Sequence, residues 1–277
     1  MATSNLVHTG TGVELIRRLA GEGDRIFTTA RARALAPEVG LSDGYLRQAL
    51  HHLAKSGWLV RLHKGLYALS SSVPGVTDAH EFEVAMALVE PAAISHWSAL
   101  HYHDLTEQVP RKVFVLTTTD TAVPRFRGAK AKKQGGYRIA DTLYQFVQVK
   151  PQRYFGTQKV WIHEARVTIT DLERTLLDGL CMPKHFGDFA EVLHAFQIKG
   201  PDIDLKRIIE YALKLDAATA KRLGWVLEHQ GVEPGRLQLL NAVEVKGYRT
   251  LDPSGPRKGP CGKRWMIQEN LPGKIKL

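Results

Sequence analysis

The chain has 277 residues, and its 38 Lys and Arg against 28 Asp and Glu give a formal net charge of +10. This length predicts two domains, and a hydrophobic fraction of 44% excludes wholesale disorder. Two cysteines are too few for a disulfide framework, and no stretch is apolar enough to span a membrane. We therefore expect a cytoplasmic protein with an anionic partner, and that partner is nucleic acid rather than a membrane surface.

The positive charge is distributed in blocks along the chain. The net charge by segment is +4 for 1–73, −6 for 74–110, +9 for 111–166, −3 for 167–244 and +6 for 245–277. Such alternation indicates separate patches that face anions. An irregular stretch with several glycines is predicted to form a basic patch, which consists of Arg125, Arg127, Lys130, Lys132 and Lys133.

Three helices are predicted in the first quarter of the chain. Apolar residues at helical spacing predict the first helix over 12–20. Thr28 or Thr29 can cap a short second helix, and Ser42 can cap a third helix over 43–55.

A basic hairpin is predicted to follow these helices. Residues 58–69 form two apolar runs around Lys64 and Gly65, and glycine can supply the positive φ of a tight turn. Small polar residues and Pro-Gly at 70–75 are typical of a linker. The order of helix, helix, capped helix and basic hairpin predicts a winged helix-turn-helix DNA-binding domain over residues 1–72.

The third predicted helix has one apolar arc and one polar face. The major groove of DNA admits one helix, where Arg pairs with guanine and Gln with adenine. The predicted base-reading residues are Tyr45, Arg47, Gln48 and His51. The predicted phosphate contacts are Thr28 and Thr29 at a helix start, and Arg61, His63 and Lys64 in the wing. The alternative is a winged helix that binds protein and whose polar face is only solvated.

The second domain is predicted to span residues 77–277, with strands first and helices after. The predicted strands are 112–117, 144–149, 159–163 and 165–169. The predicted helices are 171–180, capped by Thr170, and 186–196, 204–215 and 217–230. Arg174 and Asp178 are four residues apart, which predicts an ion pair within one helix. The fold class is therefore α+β, with an N-terminal winged helix-turn-helix followed by a larger mixed α+β C-terminal domain.

Three segments of the second domain resemble the signature blocks of AbiEi-type regulators. They are ISHWSALHYHDLTEQ at 94–108, VTITDLERTLLD at 167–178 and MPK at 182–184. The sequence departs from the family at Asp104, where the family usually has Gly. The family comprises the antitoxins of type IV toxin–antitoxin and abortive-infection systems, which act in phage defence.

The resemblance implies an autorepressor that binds inverted repeats in the double-stranded DNA upstream of its own operon. It implies a C-terminal antitoxin domain that counteracts a nucleotidyltransferase-like toxin without forming a stable complex with it. We expect no enzymatic activity and no cofactor, and a monomer or weak dimer on DNA. RNA or another substrate of the toxin is a further candidate partner of the second domain.

Two alternative sites in the second domain involve metals. His96, His101, His103 and Asp104 have zinc-binding side chains, but His96 and His101 are five residues apart and diverge on a helix. We therefore expect no metal there.

Glu244 and Lys246, with Asp202 upstream, are the residue types of a metal-dependent nuclease, which is the enzymatic alternative. A third alternative is a plain transcriptional regulator whose second domain only dimerises or binds an effector.

Overall fold

The computed structural model describes residues 2–124 and 136–271, and side chains only from residue 10 onwards. The chain divides into two units, Met1–Glu90 and Pro91–Leu277. The first unit thus continues beyond the range 1–72 that the sequence predicts for DNA binding. The predicted basic patch from Arg125 to Lys133 lies outside the described residues.

The first unit contains four α-helices and a three-stranded sheet in its described residues. In chain order its elements are α1 (Ala2–Gly21), β1 (Ile26–Thr28), α2 (Thr29–Leu35), α3 (Asp43–Lys55), β2 (Leu59–His63), β3 (Leu66–Leu69) and α4 (Glu81–Leu88). The sheet order is β1-β3-β2, and both pairings are antiparallel. The second and third helices and the β2–β3 hairpin confirm the sequence predictions, whereas β1 was not predicted.

The helix starts differ in how they are capped. Thr28 Oγ1 accepts a hydrogen bond from the amide of Arg31, so Thr28 is the cap of α2. Ser42 stands at the predicted cap position of α3, but its side chain makes no capping hydrogen bond. At the other end, Gly57 has a φ of 82° and closes the turn after α3, as expected.

The core of the first unit lies between α1, α2 and α3. Leu15, Ile16 and Leu19 of α1 are buried, and they share one apolar cluster with Leu46 and Leu50 of α3. Burying each such side chain contributes about 1.5–3 kcal/mol. The apolar arc of α3 therefore faces the core, and its polar face points to solvent.

The second unit carries a six-stranded mixed sheet and a group of helices. Its sheet strands are β4 (Ala93–Ile94), β5 (Val113–Thr118), β6 (Tyr137–Ile139), β7 (Thr142–Val149), β8 (Thr157–Ile162) and β9 (Ala165–Thr170). Their order is β6-β7-β5-β4-β9-β8, in which β4 pairs in parallel with β9 and β5 with β7. This mixture of strands and helices confirms the predicted α+β class.

The helices of the second unit mostly follow the sheet. They are α5 (His96–Tyr102), α6 (Leu172–Cys181), α7 (Phe189–Lys199), α8 (Leu205–Leu215), α9 (Ala217–His229) and α10 (Gln238–Asn241). Three two-residue strands close the unit as β10 (Arg249–Thr250), β11 (Cys261–Gly262) and β12 (Ile267–Gln268). Helix α7 begins three residues later than predicted, because Asp188 caps it by accepting from the amide of Glu191.

No helix among the described residues is long and apolar enough to cross a membrane.

Candidate nucleic-acid interface

Helix α3 presents its polar face to solvent. Tyr45, Arg47, Gln48 and His51 are all exposed, and the Tyr45 side chain is 47% exposed although it is aromatic. Residues three and four apart share a helix face, so Gln48 and His51 lie beside Arg47 on the side opposite the buried leucines. All four predicted base-reading residues are therefore on the solvent side of α3, with Tyr45 and Arg47 at its two edges, about 160° apart around the helix axis.

The wing is the β2–β3 hairpin. Arg61, His63 and Lys64 are exposed, and the sheet register shifts between Arg61 and His63. Gly65 has a φ of 75°, a conformation that favours glycine, and it turns the chain directly after Lys64. The turn thus holds Lys64 at the tip of the wing.

Thr28 and Thr29 connect the start of α2 with the wing. The amide of Thr29 donates to the carbonyl of Gly65 at 2.8 Å, and its hydroxyl approaches the same oxygen at 3.3 Å. The hydroxyl of Thr28 accepts from the Arg31 amide at 3.1 Å, which leaves its own proton to donate. Of the two threonines, Thr28 is exposed and Thr29 is half-buried against the wing turn.

Most cations of the first unit are already neutralised by carboxylates. Arg17 pairs with Glu14, Arg18 with Glu22 and Glu38, Arg25 with Glu83, Arg31 with Glu22 and Asp24, and Arg33 with Asp43. Asp43 starts α3 and Arg33 belongs to α2, so their 2.6 Å contact joins the two helices of the motif.

The remaining cations lie on two elements, α3 and the wing. Arg47 and Lys55 lie on α3, and Arg61 and Lys64 lie on the wing. Within the described part of the chain, none of the four has a carboxylate within ion-pairing distance. The uncompensated positive charge of the first unit is therefore concentrated on α3 and the wing. Counting residues could not reveal this, because it depends on which arginines meet which acids.

The three histidines of the metal alternative, His96, His101 and His103, do not converge on a common point. His96 is fully buried and bonds Ser95 through Nδ1, whereas His103 Nε2 contacts the carbonyl of Thr170 and His101 is exposed. Burial lowers the pKa of His96 well below its usual range, so this imidazole is neutral. Across the described residues, no three His, Cys, Asp or Glu side chains are placed to hold a metal ion.

The residues of the alternative nuclease site lie outside the strands. Glu244 and Lys246 are exposed and lie in an irregular segment rather than on the expected strand. Asp202 ends a 3-10 turn and pairs with Lys199 at 3.2 Å. Neither Asp202 nor Glu244 therefore stands at a strand end, where this alternative needs its two acids.

A buried charged network surrounds the start of α6. Arg174 and Asp178 are each 1% exposed, and Arg174 Nε donates to Asp178 Oδ1 at 2.9 Å. Arg174 Nη1 also donates to the carbonyls of Arg153 and Phe155, and the guanidinium lies 4.7 Å from the Phe155 ring centroid. This network belongs to the packing of the second unit and is remote in sequence from α3 and the wing.

Two comparisons with known proteins match this chain over different lengths. Residues 14–70 match the family described as "Transcriptional regulator, AbiEi antitoxin", which confirms the resemblance to that family. The blocks at 94–108, 167–178 and 182–184 that carry the resemblance in the sequence lie outside the matched residues. A crystal structure of the RV2827C protein from Mycobacterium tuberculosis superposes with a TM-score of 0.67 and 16% identity, covering 91% of this chain and 88% of that one. At this identity the likeness shows the fold alone. No curated protein matches the chain.

Proposed function

We propose, from the match of residues 14–70 to the AbiEi antitoxin and transcriptional regulator family, that the protein is a cytoplasmic DNA-binding repressor that also acts as an antitoxin. The observation that carries the DNA-binding half is the group of uncompensated cations on α3 and the wing. We define these four residues, Arg47, Lys55, Arg61 and Lys64, as the free-cation face. A polyanion is the partner that neutralises such a face.

The geometry fits a duplex with α3 in the major groove. The exposed side chains in the first turns of α3 reach base edges, where Arg47 can pair with guanine and Gln48 with adenine. Tyr45 and His51 lie on the same solvent side of α3. Arg61, His63 and Lys64 on the wing then meet the phosphate backbone, as does the Thr28 hydroxyl at the start of α2. The DNA sequence is read by α3, and the wing fixes the register.

Substitutions on α3 and on the wing are expected to have different effects. Arg47→Ala or Gln48→Ala is expected to lower affinity for the DNA upstream of the protein's own gene by about 1–3 kcal/mol, because a base contact is lost. Affinity for an unrelated duplex changes little. Lys64→Ala is expected to weaken binding to both duplexes by the same factor, since phosphates carry no sequence information. Fluorescence anisotropy with both duplexes at fixed salt measures the difference.

The matched control for these variants is Arg17→Ala. Arg17 is an exposed arginine of the same unit, but it is paired with Glu14 and lies on α1. We expect no change in either affinity. Equal losses on both duplexes for Arg47→Ala and Lys64→Ala would contradict the assignment of α3 as the reading helix and of the hairpin as the wing.

The antitoxin half of the proposal is tested in cells. If the neighbouring gene encodes a nucleotidyltransferase-like toxin, its expression is expected to arrest growth and co-expression of the full chain to restore it. The two proteins are expected not to co-purify. Failure to restore growth would favour the alternative in which the second domain only dimerises or binds an effector.

A further inference from the structure

The hairpin of β8 and β9 carries an exposed tryptophan at the edge of the six-stranded sheet. Strand β8 is the last strand of that sheet, and a two-residue turn at His163 and Glu164 joins it to β9. Trp161 is 68% exposed, the largest exposed fraction among the Phe, Trp and Tyr residues that the structure describes. This ring is therefore the aromatic side chain most accessible to a ligand among those that the structure describes.

The strand register places two cations beside the Trp161 ring. Trp161 pairs across the hairpin with Arg166, and Lys159 pairs with Thr168. Because side chains alternate between the two faces of a strand, Lys159, Trp161 and Arg166 share one face. Directly opposed residues have Cβ atoms about 5 Å apart, so Arg166 lies beside Trp161 on the same face.

The two faces of the β8–β9 hairpin differ in exposure. Ala165, Val167 and Ile169 of β9 are buried on the core side, whereas Arg166 of β9 and Lys159 of β8 are exposed on the other side. In the described part of the chain, neither Lys159 nor Arg166 has a carboxylate within ion-pairing distance. The face therefore offers one aromatic plane with one uncompensated cation two residues away along β8 and another directly opposite on β9.

We propose that this face of the β8–β9 hairpin binds a single-stranded polynucleotide. A base stacks on the indole of Trp161, and Lys159 and Arg166 contact neighbouring phosphates of the same strand. An aromatic ring flanked by cations is the arrangement by which proteins hold single strands without reading sequence, because every base has a π face. A duplex fits this face less well, since its bases are already stacked on each other. Single-stranded RNA and single-stranded DNA share this chemistry.

This proposal does not depend on the free-cation face. Its surface lies in the second unit and uses no residue of α3 or the wing, so either proposal can fail without the other.

The test measures binding of the full chain to labelled 12-nucleotide U and dT homopolymers and to a duplex of unrelated sequence. Trp161→Ala is expected to weaken binding to a single strand by at least about fivefold, because stacking of one base on an aromatic side chain is worth about 1–3 kcal/mol. Trp161→Phe is expected to retain most of the affinity. Duplex affinity should stay unchanged in both variants. Comparison of the U and dT strands identifies the sugar that the face prefers.

Tyr248→Ala is the matched control, because Tyr248 is an exposed aromatic of the same unit that also lies between cations, Lys246 and Arg249. We expect it to bind single strands like the original protein. The proposal is overturned if neither homopolymer binds, if Trp161→Ala binds them unchanged, or if Trp161→Ala loses duplex and single-strand affinity equally. The proposal is also overturned if Tyr248→Ala weakens single-strand binding and Trp161→Ala does not.

Discussion

Arg174→Ala is expected to lower the free energy of unfolding of the second unit by about 3–5 kcal/mol. The arginine is almost fully buried, and it holds Asp178 and the carbonyls of Arg153 and Phe155 together. Its removal leaves the Asp178 carboxylate buried with no counter-charge. Asp178 Oδ2 already has no hydrogen-bond partner among the described residues, so little can replace the lost contact. Urea denaturation followed by circular dichroism measures the loss.

The loss in free energy of unfolding caused by Arg174→Ala is expected to depend on pH. Burial raises the pKa of Asp178, whereas Arg174 acts to lower it, so removing Arg174 raises this pKa further. A raised pKa in the folded state means that folding favours the protonated carboxyl. The stability that this carboxyl contributes is fully present below its pKa in the unfolded chain. It is lost as the pH rises through its pKa in the folded protein. The variant should therefore lose less stability at acidic pH than at neutral pH.

Two controls separate this effect from ordinary truncation. Lys199→Ala removes a surface partner of Asp202 and is expected to cost at most about 1 kcal/mol. Replacing both buried partners, as in Arg174→Met with Asp178→Leu, is expected to cost less than Arg174→Ala alone, because no unpaired charge is left. An Arg174→Ala variant as stable as Lys199→Ala would contradict the assigned role of the network.

Local patterns predicted much of the first unit from sequence. The cap at Thr28, the apolar arc of α3 and the glycine turn of the wing are signals within a few residues of each other, and the structure confirms them. Strand β1 was missed because it has three residues, and its conformation depends on pairing with β3 about forty residues later. Strand β4 was missed for the same reason, as its two residues lie between β5 and β9.

Spacing alone predicted the Arg174–Asp178 pair but not its environment. The two residues are four apart on α6, as in many exposed helical ion pairs. What buries them is contact with the segment around Arg153 and Phe155, which is distant in sequence. The same limit applies to the free-cation face. Sequence gives a net charge of +4 for residues 1–73, whereas only the tertiary contacts show which cations keep their charge uncompensated.

The free-cation face gives the second large effect. Replacing Arg47, Arg61 and Lys64 together by Gln is expected to weaken binding to the upstream DNA by at least about a hundredfold, since one base contact and two phosphate contacts are lost. The slope of log affinity against log salt is expected to become shallower by about 2, because each phosphate contact accounts for about 0.9 of it.

The most direct test of the account is to compare this triple variant with another that removes the same charge elsewhere in the unit. Arg17, Arg18 and Arg31 are all held by carboxylates, so replacing these three by Gln lowers the net charge equally but leaves α3 and the wing intact. Affinity for the upstream DNA is measured for both variants over a range of salt concentrations. We expect a large loss of affinity and a shallower salt slope for the variant on α3 and the wing. For the variant of Arg17, Arg18 and Arg31 we expect nearly unchanged affinity and slope. Equal losses in the two variants would show that binding follows net charge alone, and would contradict the assignment of α3 and the wing as the DNA-binding surface.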